Sequence, residues 1–249
     1  MIITSLAAAK AAGRVESIAA MRRYWLLDDS DAHGLGAVSL DVLPAAATHR
    51  VAAGDGESAS VAVEGRERGR VWRASDHGSY LVEPADEPAA LMTLHSRGVP
   101  AATADDLDRL DMLGPFDPLV PRWVDNVADS PAHNPALGFF HMRARMLVEG
   151  DSRGRRTFTL GLGTFLAGEG RHALHRHDNA AEVFFVWEGE GLHLTGDGVE
   201  HPLRTGELVF VPPGEWHGFR TTADGDTRAF FGYLGVDLRS GAGYEVEPP

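Results

Sequence analysis

The chain has 249 residues and a mass of 26.8 kDa, enough for one large domain or two modest ones with a real core. Its 23 basic and 36 acidic residues leave a net charge of −13, which disfavours nucleic acid and anionic membrane surfaces as partners. Cysteine is absent, so disulfides, thiolate metal sites and cysteine nucleophiles are excluded while His/carboxylate metal sites stay open.

The Ala-rich start, Leu6 to Ala12, is interrupted by Lys10, and no signal peptide is expected. No apolar run reaches the roughly 18 residues that a transmembrane helix needs. Lys10 is also the only lysine among the 23 basic residues, a bias that points to a GC-rich bacterial genome and, with it, a cytoplasmic protein.

Short β-branched and aromatic runs follow at Gly36–Leu43, Ser60–Val63, Arg70–Trp72, Tyr80–Val82 and Leu91–Leu94, and each reads as a strand. Residues 96 to 136 carry six prolines and one helical pattern. That helix starts at Thr103, where Asp106 completes a capping box, continues through Leu107, Leu110 and Leu113, and stops at Gly114-Pro115. The stretch therefore reads as a linker with a short helix. Beyond it, strands are expected at Thr157–Leu166, Glu182–Trp187, Gly191–Leu194, Glu207–Val211 and Arg228–Leu234, with a hairpin turn at Gly196-Asp197-Gly198. Many short strands at regular spacing argue for an all-β sandwich or barrel. The expected division is 1–95, a linker over 96–136, and 137–249.

Four residues of the second half carry chemistry. His175 and His177 are two apart, so a strand would point both to one face. Glu182 leads an apolar strand, where a carboxylate needs a cation or a hydrogen-bond partner. His217 follows the turn Pro212-Pro213-Gly214. Three imidazoles and a carboxylate suit Fe, Mn, Ni, Cu, Co or Zn, with positions left for water or substrate.

The spacing sharpens this reading. His175-x-His177-x4-Glu182-x6-Gly189 and Gly206-x5-Pro212-x-Gly214-x2-His217 resemble the two motifs of the cupin superfamily, separated by the 16 residues Glu190 to Thr205. Two departures exist: Gly170 lies one residue closer to His175 than usual, and Thr221 replaces the usual final Asn. The resemblance implies a double-stranded β-helix (jelly-roll) barrel holding one divalent transition metal, iron first among the candidates, on His175, His177, Glu182 and His217.

The first half resembles a decayed copy of the same unit. Gly78-x5-Pro84 followed by Glu87-Pro88-Ala89 echoes the second motif, with Ala89 in place of the ligand histidine. Leu43 to His49 echoes the approach to the first ligand, but Arg50 and Val51 follow, and Glu57 or Ser58 stands at the glutamate position. The implied whole is a bicupin, all-β, with a structural N-terminal barrel and one working metal site.

Alternation from the ligands places Phe184, Val186 and Phe219 inward, joined by Phe158, Leu160 and Leu162. Such an apolar pocket suits a small organic substrate. Arg171 is a candidate to orient a substrate carboxylate. Weak acid/base candidates are His193 and Glu190, with His193 facing either the cavity or solvent. Residues 1 to 20 are a candidate edge strand for a partner in a homodimer, and Trp123, Trp187 and Trp216 are candidate interface aromatics. Three functions follow from the resemblance. An O2-dependent dioxygenase-type reaction comes first. A non-redox isomerase, lyase or hydrolase of specialised, ureide or carboxylate metabolism comes second, and a non-catalytic ligand-binding cupin third.

Overall fold

The computed structural model describes residues 1–18, 21–32, 35–45, 49–52, 58–65, 71–74, 79–82, 86–96, 133–148, 158–222, 224–236 and 239–247. The expected linker helix from Thr103 lies outside them. The chain divides into two units: Met1–Ile3 with Arg122–Glu149 and Phe158–Pro249, and Thr4–Pro121 with Gly150–Thr157.

In the C-terminal unit, one sheet runs in the order Ile2–Ser5, Glu207–Val211, Ala181–Glu188, Thr227–Leu234, Leu160–Phe165, Met142–Val148. A second sheet runs His133–Asn134, Phe139–Phe140, Arg171–His177, His217–Thr221, Glu190–Thr195, Glu200–Arg204, with Tyr244–Val246 also pairing to Arg171–His177. The ladders joining Glu207–Val211, Ala181–Glu188, Thr227–Leu234, Leu160–Phe165 and Met142–Val148, and those of the second sheet, are antiparallel. Met142, Ala144, Phe165, Phe184, Val186, Val209, Val211 and Ala229 from the first sheet pack with Leu203 and Phe219 from the second. This is a jelly-roll interior, with each strand giving alternate residues to the core. The Ile2–Ser5 strand adds to the edge of the chain's own sheet. Among the described residues it is the outermost strand of that sheet.

The N-terminal unit has a six-stranded sheet, Val15–Ile18, Met21–Leu27, Gly36–Leu43, Ala89–Ser96, Ser58–Glu64, Val71–Ala74, and a two-stranded one, His49–Ala52 with Ser79–Val82. Its helix, Leu6–Ala11, is the one α-helix among the described residues. It starts on Ser5, whose hydroxyl accepts from the Ala8 N–H at 3.2 Å. The Ala-rich run is therefore a capped helix.

The two units repeat one ladder. Ser58–Glu64, Ala89–Ser96, Gly36–Leu43 and Met21–Leu27 lie side by side as Ala181–Glu188, Thr227–Leu234, Leu160–Phe165 and Met142–Val148 do. Even the bulges coincide: between Ala62 and Glu64 as between Val186 and Glu188, and between Trp25 and Leu27 as between Met146 and Val148. A bulge re-aims every side chain beyond it, so shared bulges mean shared facing.

Candidate metal centre

His175 and His177 end the Arg171–His177 strand, and His217 opens its neighbour, directly opposite His175. The ladder between these strands shifts register between His172 and His175, and the rings of His175 and His217 lie 4.2 Å apart. Gly214 holds the turn before His217 with φ +80°, a backbone conformation that glycine adopts without strain, and its N–H donates to the His177 carbonyl at 2.9 Å. The second motif is thereby tied to the first. Glu182 comes from the facing sheet, at the second position of Ala181–Glu188.

All four side chains are buried, and one ligand atom from each lies within 4.8 Å of the others. The Nε2 atoms of His177, His217 and His175 stand 3.0, 3.2 and 3.7 Å from Glu182 Oε2. His175 and His217 each place Nδ1 2.9 Å from a backbone carbonyl, of Ala173 and Glu215. A carbonyl only accepts, so Nδ1 carries the proton and a neutral ring turns its Nε2 lone pair to the centre. Burial, then the nearby charge of His217, pushes the His175 pKa down to about 4, so at neutral pH His175 presents that lone pair. Its Nε2 has no hydrogen-bond partner among the described residues.

Burial works against the charge on Glu182. The imidazoles around it, His217 first, outweigh burial and hold the carboxyl well below its ordinary range. Lone pairs facing a carboxylate repel, and a divalent cation between them satisfies every atom at once. The donor set fits a metal.

Beside Glu182 lies a chamber of about 30 Å³. Phe139, Met142, Phe165, Phe184 and Phe231 give it apolar walls, and His172 and Tyr233 add polar groups. It holds about one water molecule as it stands. Phe139 and Phe231 in its wall are only partly buried. His172 stacks on His175 at 3.8 Å, and its Nε2 lies 2.7 Å from the Tyr244 hydroxyl. That hydroxyl donates to the Leu137 carbonyl at 2.5 Å, so it accepts from His172 Nε2–H and leaves His172 Nδ1 with a lone pair. Burial, then His175, holds the His172 pKa well below its ordinary value, and burial with the Glu182 charge raises that of Tyr244.

The other expected site residues are dispersed. Phe184 lines the chamber, while Val186 and Phe219 lie in the barrel core, with Phe219 against the rings of Phe165 and Phe184 at 4.8 and 4.9 Å. Phe158 and Leu160 are buried on the opposite face of their sheet. The ladder pairs Gly161 with Phe231 and Gly163 with Ala229, so the odd residues of that strand face the chamber. Glycines break the apolar run there, which hides the alternation. Arg171 sits over the Phe140 ring at 4.2 Å, in a groove of about 370 Å³ with His141, Glu169 and Arg220 that contains no metal ligand. It does not reach the chamber. Glu190 is exposed, 4.0 Å from Arg204, and its carbonyl rather than its carboxylate is used, accepting from Thr221 and Thr227 hydroxyls. Thr221 thus takes a structural role where the family motif has Asn.

His193 is buried rather than solvent-facing, parallel to the His217 ring at 6.1 Å, and burial pushes its pKa down to about 3. It does not line the chamber. Sequence reading misses Tyr233 and Tyr244. Alternation from Phe231 would have found Tyr233, whereas Tyr244 sits in a three-residue strand with no motif around it.

Residues 161–233 match the cupin domain family. The chain is 33% identical over 96 residues to dimethylsulfoniopropionate lyase DddW of Ruegeria pomeroyi and 32% identical over 87 residues to protein SchB of Streptomyces halstedii. These matches take in 38% and 35% of this chain, and 59% and 62% of the relatives. Among solved structures, a single-residue variant of the oxalate decarboxylase of Bacillus subtilis aligns over 99% of this chain and 79% of its own, with TM-score 0.65 and 10% identity. Vicilin from Corylus avellana aligns over 99% and 87%, with TM-score 0.62 and the same identity. Likeness at 10% identity carries the fold and no activity.

Proposed function

We propose that the chain is a bicupin whose C-terminal unit keeps the metal ligands, and that it is a metal-dependent enzyme acting on a small organic carboxylate or carbonyl compound in a non-redox lyase or isomerase reaction. The observation that supports this reading is the His172 ring. It stands beside the ligand His175 in the chamber wall, its tautomer set by Tyr244 so that Nδ1 accepts. Bound on His175, His177, Glu182 and His217, the metal would serve as a Lewis acid that polarises a substrate oxygen.

The chain's own residues do the rest. The Ala173 and Glu215 carbonyls fix the ligand imidazoles before substrate arrives. Phe139, Phe165, Phe184 and Phe231 exclude water from the chamber and fit an apolar substrate body. His172 Nδ1 accepts a hydrogen bond from a substrate O–H or C–H-acid site and so fixes which end faces Glu182. The name of one similar protein, a dimethylsulfoniopropionate lyase, belongs to this reaction class.

A dioxygenase-type reaction, with iron as the metal, is the second reading, favoured by the aromatic walls. A small-molecule substrate is common to both, and a homodimer remains compatible with either.

The test is turnover of a panel of small organic acids, including dimethylsulfoniopropionate and oxalate, by protein loaded with each candidate metal, followed by NMR with and without O2. Metal-dependent conversion without O2 supports the lyase or isomerase reading. Conversion only in air supports the oxygenase, and no metal-dependent conversion across the panel counts against both.

A further inference from the structure

Every ligand of the metal centre is at most 5% exposed, and the chamber beside Glu182 has room for about one water molecule. Any organic acid is larger than that, so a substrate enters when part of the wall gives way. The strands around the chamber differ in how firmly they are held. Met142–Val148, Leu160–Phe165, Arg171–His177, Ala181–Glu188 and Thr227–Leu234 run six to eight residues each. Phe139 stands in a strand of two, Phe139–Phe140, which pairs with its neighbour through Phe139 opposite His172 and Phe140 opposite Arg171. On its other side lies His133–Asn134, the outermost strand of the sheet among the described residues. The hairpin from His133 to Phe140, turned by the short 3-10 helix Pro135–Leu137, therefore sits on the edge of the sheet. Local opening costs least where the fewest backbone bonds must break, and in the chamber wall that is here. Phe231 is also partly buried, but its strand is paired on both sides, to Ala181–Glu188 and to Leu160–Phe165.

The hairpin has a hinge and a latch. His141, which joins Phe140 to Met142, has φ +47°, the one positive φ outside glycine among the described residues. A left-handed backbone at such a residue is strained and persists where its surroundings hold it. The His141 carbonyl accepts from the Leu166 N–H at 2.9 Å, and its ring stands 3.2 Å from the Glu169 carboxylate, so the joint is fixed to the barrel. On the hairpin itself, the Leu137 carbonyl accepts from the Tyr244 hydroxyl and the Gly138 carbonyl from the Ala173 N–H at 2.8 Å. Gly138 fits closely, since a Cβ there would lie 3.2 Å from the Ala173 Cβ and 3.5 Å from the Tyr244 hydroxyl. Tyr244 belongs to the strand Tyr244–Val246, which is paired to Arg171–His177. One hydroxyl thus ties the hairpin to the strand that carries two of the ligands.

We propose that residues 133–140 are a lid over the metal chamber, that it swings about His141 and carries Phe139 out of the wall, and that the Tyr244 hydroxyl is its latch. Closure turns that hydroxyl to Leu137 and leaves its lone pair for His172 Nε2–H, so the ring beside the metal is set as the lid shuts. This coupling rests on the reaction proposed above, whereas the lid does not.

The chain has no cysteine, so one engineered pair forms a single disulfide. Phe140 and Arg171 face each other across the ladder and line the groove outside the chamber. Directly opposed residues of antiparallel strands are about 4.5–5.5 Å apart at Cα, within disulfide reach. In Phe140→Cys with Arg171→Cys, oxidation locks the lid and reduction frees it within one protein. Extraction of cobalt(II) from the loaded chain by dipicolinate should be at least about tenfold slower in the oxidised form than in the reduced one, and equal rates would overturn the proposal. Hydrogen–deuterium exchange of the full chain needs neither bound metal nor turnover, so it separates a failure of the lid from a failure of the proposed reaction. Tyr244→Phe keeps the ring and removes the latch. It should speed exchange at residues 136–140 about tenfold, the weight of one hydrogen bond, and leave Ala181–Glu188 as in the wild type. Unchanged exchange at residues 136–140, or a rise spread equally over Ala181–Glu188, would also overturn it.

Discussion

The two units share a four-strand ladder and its two bulges, yet at matched positions Phe184, Phe231, Gly163 and Ala144 in one face a His/Glu cluster while Ser60, Thr93, Asp41 and Arg23 stand in the other. Backbone ladders are specified by alternation and turn chemistry, which a few residues per strand maintain. The chemistry of the interior rests on the remaining positions and is free to diverge. A duplicated fold can therefore lose a metal site without losing its register.

The largest effect that would sharpen this contrast comes from His217→Ala. It removes one of four ligands and should lower bound metal at least about tenfold while the far-ultraviolet circular dichroism is kept. Metal retained at the wild-type level would place the site elsewhere. The N-terminal counterpart is Asp41→Ala, which removes the buried carboxylate that the Arg23 guanidinium, 13% exposed, forks onto. Chemical denaturation should then report a loss of about 3–5 kcal/mol with metal content unchanged. A loss under about 1 kcal/mol would show the fork to be dispensable.

Removal of metal by chelation should lower the melting temperature, because only the folded chain presents the four ligands together. The metal-free form should also be acid-sensitive. His172, His175 and His193 are held neutral by burial, with His175 at about 4 and His193 at about 3, against an ordinary value of 6.5. The unfolded chain takes up their protons first, so their contribution is full above pH 6.5 and is lost as the pH falls toward 4. Glu182, held below its ordinary value, adds a contribution that is lost further down. Thermal melts in chelator should fall steadily through this window, and a flat profile would contradict the burial of these rings.

The smallest effect concerns Gly161. A Cβ there would lie 2.3 Å from Phe231 Cζ, so Gly161→Ala must displace that ring, at about 1–3 kcal/mol. In the N-terminal ladder the same place is taken by Ser39, which faces Thr93 and is tolerated. Replacing Phe231 with Thr as well should recover part of the stability. No recovery would break the equivalence drawn between the two ladders.

Much of the fold is legible in the sequence, for stated reasons. Gly36–Leu43 and Glu207–Val211 are strands with the bounds that their composition gives, because β-branched and aromatic residues are bounded there by turn formers. Met21–Leu27, Met142–Val148 and Glu200–Arg204 escape notice, since Arg, Met, Pro and Glu are poor strand signals and the strands form by pairing to neighbours. His175, His177, Glu182 and His217 are legible because ligand spacing is a local property. The chamber is less so. Gly161 and Gly163 conceal which face of their strand looks inward, and Tyr244 reaches His172 across 72 residues of chain. The polar interior of the N-terminal unit is invisible until register sets Ser58 against His95, since His95 belongs to no motif and Ser58 is one of two choices for the glutamate position of the decayed one.

The central claim is that one barrel holds a metal and its sister does not. Elemental analysis of chain purified without added metal or chelator, beside His217→Ala and His49→Ala, tests it most directly. About one equivalent of a single transition metal per chain is predicted, lost in His217→Ala and kept in His49→Ala. Essentially no metal after incubation with each candidate ion, or loss of half of it in His49→Ala, would contradict the account.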